Sequence, residues 1–219
     1  ANNGTAPRIT HVTVRSVGEA SARSAIYNSN SSATFTDVKV IASGGSATYG
    51  IADYSSNTTL HDVDIEASSS NMAIGISCAG SSTRGLTIDS VRIAAWSDVA
   101  AHGIWCSNST TMNNVSVTAS NGIGLTTAIT IDGDSIATLS NVTATAKGVQ
   151  GSTFGLYQYW SNQVIADKSI IDGDIYSRLS GGSMKIGASK LTGSISGGST
   201  MTCVACYNNN YSPLDATCQ

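Results

Sequence analysis

Residues 49–68 read YGIADYSSNTTLHDVDIEAS, and the same phrase returns at 74–95 as IGISCAGSSTRGLTIDSVRIAA and at 102–120 as HGIWCSNSTTMNNVSVTAS. Two landmarks recur along the chain. One is a Val-x-Val segment led by Val12, Val38, Val63, Val91, Val115 and Val142, spaced 26, 25, 28, 24 and 27 residues apart. The other is a small residue followed by Ile26, Ile51, Ile76, Ile104, Ile129 or Leu156, spaced 25, 25, 28, 25 and 27 apart. Two independent landmarks with one period define a structural repeat.

The step from each valine to the next Ile or Leu is 13 or 14 residues, while the return step varies from 11 to 15. Length variation is thus confined to one connection, where a loop absorbs it. About three short alternating strands per repeat, with no helical periodicity, predict the coils of a parallel β-helix. A leucine-rich repeat is excluded by the missing Leu-x-x-Leu-x-Leu run.

Ile9, Phe35, Leu60, Ile88, Met112 and Leu139 each lie three before a landmark valine. Three is odd, so one straight strand cannot turn both residues inward. A corner is therefore expected at Asp37, Asp62, Ser90, Asn114 and Asn141, where Asp and Asn tolerate left-handed backbone. Stacked, these residues predict a polar ladder and read as structure, not as catalysts. The outward residue of the Val-x-Val strand runs Thr13, Lys39, Asp64, Arg92, Ser116, Thr143, a column of alternating charge at its centre. Those charges interrupt the uniform threonine array that an ice-binding face needs.

Charged residues make up 11% of the chain and the net charge is −3, so no basic patch invites nucleic acid. No apolar run approaches the length of a membrane span. The residues before Ile9 contain no charged-then-apolar leader, so the chain reads as mature or trimmed.

Some parallel β-helices degrade polysaccharides, which makes a lyase or glycoside hydrolase one reading. The carboxylates are scattered, however. Asp62 and Asp64 belong to the corner and the charge column, leaving no paired acids for glycosidic chemistry. The segments IDGDS at 131–135 and IDGDI at 171–175 resemble a repeated calcium motif, but Asp132 lies three after Ile129 and Asp172 two after Ile170. They fall at different places in the coil and read as Asp-Gly turns. His11 and His61 flank bends, and His102 fills the slot of Tyr49, Ile74, Thr127 and Phe154, so all three read as structural. No catalytic residue, metal ligand set or cofactor motif is assigned.

Aromatic side chains give a binding reading. Tyr27, Trp105 and Tyr157 lie one after a landmark and point outward; Tyr54 and Tyr159 lie two further, followed by Trp160. Exposed aromatics stack on sugar rings or anchor protein partners. Cys78 and Cys106 each follow a landmark by two, which makes them neighbours on adjacent coils. The coil spacing of about 4.8 Å suits a disulfide at Cα, but the Cβ atoms lie slightly beyond the favoured ~3.8 Å. A bond and a stacked pair of thiols both fit. Cys203 and Cys206 have a zinc-like spacing, yet the tail adds only Cys218 and no histidine, so a disulfide to Cys218 is expected. It implies an oxidising compartment.

From residue 33 to 219 the chain resembles exported bacterial β-helix proteins of unassigned function. The segments TMNNVSVTAS, TLSNVTATAKG and FGLYQY carry the likeness, as does the tail MTCVACYNNNYSPLDATCQ. The resemblance implies a right-handed parallel β-helix, export, and a Cys203–Cys218 pairing; Cys206 departs from its pattern. The expected organisation is an all-β solenoid of about 25–28 residues per coil over 1–200, with a disulfide-linked capping tail over 201–219. An uncovered first coil invites more upstream sequence or a partner. The leading expectation is a non-enzymatic extracellular or cell-surface module that associates with itself, end to end or laterally, or with another surface protein. Polysaccharide binding is the alternative, and a polysaccharide-degrading enzyme the third.

Overall fold

Alternating inward and outward residues build two ladders from each repeat. The computed structural model describes residues 2–19, 21–80, 85–133, 135–160, 163–178 and 181–219. Among these the chain is all-β, without a helix, and its strands stack in parallel as a β-solenoid. One sheet, here the face sheet, runs through Asn2–Asn3, Ala22–Ser29, Ala47–Tyr54, Met72–Ala79, Ala100–Cys106, Thr126–Ile131, Thr153–Gln158, Asp174–Ser177 and Ile195–Gly197. The other, the corner sheet, is built on Arg8–Val17, Thr34–Ser43, Thr58–Ser69, Gly85–Asp89, Ser109–Ser120, Ile136–Lys147, Gln163–Asp167, Ser183–Gly187 and Thr200–Val204.

The landmarks are rungs. Ile26, Ile51, Ile76, Ile104, Ile129 and Leu156 stack in unbroken register, and the column continues to Ile175 and Ile195. Asp37, Asp62, Ser90, Asn114 and Asn141 all have left-handed backbone, with φ between 52° and 56°. The corner thus bends a strand in its middle, and in three coils it splits the strand in two, as at Gly85–Asp89 and Arg92–Ser97. His11, expected beside a bend, is itself a corner residue at φ 56°.

The corner continues through Lys168, Ala188 and Ala205, so the last coils shrink to 20 and then 17 residues. After these corners Ser169, Ser189 and Cys206 replace the landmark valine, and all three are buried. Ser169 and Ser189 donate back to the carbonyls of Asp167 and Gly187 at 2.8 and 2.6 Å. Small hydroxyl side chains fill the narrower core and satisfy the backbone there.

Inside, Phe35, Leu60, Ile88, Met112 and Leu139 form a column that carries almost no exposed surface. The small residue before each Ile has a packing reason. A Cβ on Gly103 would lie 2.2 Å from Val117 Cγ1 and 2.6 Å from the Ala128 carbonyl. Gly50 and Gly75 face Ile65 and Ile93 in the same way, at 2.4 and 2.3 Å. The two sheets approach too closely there for any side chain.

The cysteines resolve into two bonds and one thiol. Cys78–Cys106 joins adjacent coils with Cα atoms 4.5 Å apart, and Cys203–Cys218 pins the tail at 5.1 Å. The tail folds back over the last coil, with Cys203 N–H donating to the Ala216 carbonyl at 3.0 Å and Leu214 N–H to the Cys206 carbonyl at 2.9 Å. Cys206 is buried and unbonded to another cysteine.

Candidate functional site

The polar ladder forms at the corner. His11 Nδ1 meets Asp37 Oδ2 at 2.6 Å, and Asn141 donates to Asn114 Oδ1 at 2.6 Å. His61 bridges Asp62 at 3.1 Å and Asp89 at 2.9 Å. Asp89 also accepts from Asn113 at 2.8 Å, and these donors hold its carboxyl below the ordinary range, the Asn113 bond most of all. His11–Asp37, His61–Asp89, Asn113–Asp89 and Asn141–Asn114 each link neighbouring coils, the arrangement of a structural edge. In the charge column Arg92 pairs with Asp64 at 2.7 Å, as the spacing predicts. Lys39 differs: it reaches past Asp64 to Glu66, at 2.8 Å. Its long stem selects the carboxylate two residues along, on the same outward face.

The Asp-Gly segments sit apart, as the register requires. Asp132 lies on the outward side of the face sheet, whereas Asp172 pairs with Thr145 in the corner sheet and accepts from Thr192 Oγ1 at 2.6 Å. Gly133 and Gly173 occupy turns at φ 76° and 122°. Asp134 lies outside the described residues.

The aromatic expectation is where the structure adds most. Trp105, Thr130, Tyr157 and Tyr176 are consecutive rungs of one outward column. Beside it run His102, Thr127 and Phe154 in another. Small threonines between bulky neighbours leave a cleft of about 200 Å³ lined by His102, Trp105, Thr130, Asp132, Tyr157 and Arg178, with Tyr159 at its side. Phe154, Tyr157 and Tyr176 pack as a cluster with centroids 5.0 to 5.6 Å apart, and Tyr157 lies 6.0 Å from Tyr159. Trp160 meets Tyr159 edge-on at 5.6 Å.

Polar groups are fixed around this wall. Trp105 Nε1 points to Asp132 Oδ2 at 3.4 Å, and the Arg178 guanidinium lies 4.4 Å from the Tyr159 ring centroid. His102 Nδ1 contacts Thr127 Oγ1 at 2.7 Å, which in turn contacts Thr130 Oγ1 at 2.8 Å. Burial pushes the His102 pKa down to about 4, so the ring is neutral at neutral pH. Burial also raises the Tyr157 phenol, against the opposing pull of Arg178. Among the described residues the cleft therefore offers flat apolar surface, a neutral imidazole, one carboxylate and one guanidinium.

Of the six aromatics singled out from sequence, Trp105, Tyr157, Tyr159 and Trp160 come together. Tyr27 and Tyr54 are exposed on the first coils and stand outside the cleft. His102, Asp132, Arg178, Phe154 and Tyr176 were missed as site residues. Extending the landmark column to Ile175 finds Tyr176 one residue later and Arg178 three later. A second outward column also escaped notice: Thr34, Thr59, Thr87, Thr111 and Thr138 stack on five successive coils. It is one residue wide and joins His61 and Asp89 on the next outward positions, so it reads as a β-branched ladder that holds register.

No family model, curated protein or solved structure matches the chain. Fold and geometry therefore define it as a parallel β-solenoid with an aromatic cleft on one face. Its two disulfides suit a non-reducing environment. Among the described residues no helix is long and apolar enough to cross a membrane.

Proposed function

We propose that this chain is a non-enzymatic, extracellular adhesive module that binds carbohydrate through the face-sheet cleft. The observation that carries the reading is the convergence of Trp105, Tyr157 and Tyr159 around a hollow that also presents Asp132 and Arg178. Aromatic faces take the C–H faces of sugar rings, and fixed polar groups orient the hydroxyls. Asp132 is the sole carboxylate among the described residues lining the cleft. That favours recognition over hydrolysis, which uses two. Export, and kinship with the exported β-helix proteins that its coils resemble, belong to the same proposal and are supported by the disulfides and the repeat. Self-association would multiply weak contacts into avidity; sedimentation of the purified chain measures it.

A glycan array probed with the folded protein tests the reading. Binding to a defined set of glycans, lost in Trp105→Ala with the circular dichroism spectrum retained, supports it. An array with no bound glycan, or binding indifferent to both Trp105→Ala and Tyr159→Ala, overturns it.

A further inference from the structure

A second hollow lies on the same face, one wall away from the first. It measures about 300 Å³ and sits between Tyr49 and Trp105, with Ile74, Ser77 and Ala79 as its floor. Trp105 lines both hollows. Ser77, Trp105 and Thr130 are successive rungs of one column, so the hollows are centred two coils apart, or about 10 Å. Ser77 and Thr130 thus lie on the coils either side of Trp105, the first walled on its far side by Tyr49 of the adjacent column and the second by Tyr157.

We propose that the two hollows are subsites for one linear, neutral, β-linked polysaccharide lying along the solenoid axis, with one sugar per coil and its middle sugar over Trp105. This rests on the carbohydrate-binding reading of the face. An extended, equatorially linked chain advances by close to one coil spacing per sugar and flips each ring relative to the last. The first and third sugars of a trisaccharide then present the same face, as two similar hollows on either side of one indole require. The charges select a neutral chain. Among the described residues no Asp, Glu, Lys or Arg lines the hollow at Ser77, and the hollow at Thr130 has Asp132 balanced by Arg178. A polyuronate would bring carboxylates against the first hollow with no cation to meet them and against Asp132 in the second.

Calorimetric titration with β-1,4-linked gluco- and manno-oligosaccharides of two to six sugars tests this, with oligogalacturonates as the acidic comparison. For at least one neutral series, affinity should rise on the order of tenfold from dimer to trimer and little beyond the trimer. Ser77→Tyr fills the upper hollow, and tyrosine already stands in that column at Tyr27 and Tyr157, so the strand accepts it. It should bring the longer sugars down to the dimer's affinity and leave the dimer unchanged. Ala79→Tyr, which repeats Tyr54 in its own column, should do the same. The two-subsite arrangement fails if both variants bind long oligomers like the parent, or if oligogalacturonates bind more tightly than neutral chains. Glycan binding that needs Trp105 but ignores both Ser77→Tyr and Ala79→Tyr would overturn this arrangement and leave the carbohydrate reading standing. Absence of binding to any sugar overturns both.

Discussion

Asn28 Nδ2 donates to Asp53 Oδ1 at 2.8 Å across adjacent coils, in a pocket of the core where both residues are buried. Thr58 Oγ1 donates to the same carboxylate oxygen at 2.7 Å. Among the described residues neither Asp53 Oδ2 nor Asn28 Oδ1 has a hydrogen-bond partner. Both are acceptors, and protonation of Asp53 would add a hydrogen-bond donor to this buried cluster.

Burial raises the Asp53 pKa, and the bonds from Thr58, Asn28 and Ser56 oppose that only in part. A carboxyl whose folded pKa lies above its unfolded value binds the proton more tightly when folded. Its contribution to stability is then fully present below the unfolded pKa of about 4 and is lost as pH rises through the folded value. Asp53→Asn mimics the protonated acid at every pH. Thermal melts from pH 3 to 8 should show the variant matching the parent at the acid end and exceeding it at neutral pH. A variant less stable than the parent at pH 8 would contradict this account.

The close approach at Gly103 yields a coupling prediction. Gly103→Ala places its Cβ against Val117 and should cost about 1–3 kcal/mol, the usual penalty for overpacking. One coil further the same two columns carry Ala128 and Ala144 instead. Adding Val117→Ala to Gly103→Ala reproduces that native combination, so the double variant should be less destabilised than the two single effects added together. Denaturant melts of the four proteins in a double-mutant cycle measure the difference.

Cys206 occupies a slot held by serine in the two preceding coils. Its thiol points to the Ile186 carbonyl at 3.2 Å and to the Val204 carbonyl at 3.7 Å, the second contact repeating the Ser169 and Ser189 geometry. Cys206→Ser should therefore shift stability by no more than about 1 kcal/mol, the net worth of one hydrogen bond. In the parent, a thiol reagent should find nothing until the protein is unfolded and then titrate one group. Three groups would mean that one of the two cysteine pairs is not bonded.

The corners at Asp37, Asp62, Asn114 and Asn141 were legible because their residue types tolerate left-handed backbone and recur with the period. Lys168, Ala188 and Ala205 adopt the same backbone without any such signal, in coils that shorten as serine replaces valine. There the period itself fails as a guide. The cleft was half legible for a related reason. Trp105 and Tyr157 are readable as outward aromatics, but the hollow between them exists because Thr130 is small, and its rim comes from a coil beyond the last readable landmark. Lys39 shows a different limit: register places it beside Asp64, while side-chain reach gives it to Glu66.

The bond between Cys78 and Cys106 has a mechanical consequence. It ties one full turn of the chain into a covalent hoop of 28 residues' separation, set in the middle of the stack. A solenoid pulled from its ends peels turn by turn, since each turn touches only its neighbours. With the bond intact that hoop cannot be drawn out, and the extended chain falls short by roughly 90 Å at about 3.3 Å per residue. Tension along the stack is therefore carried across these two turns by a covalent link.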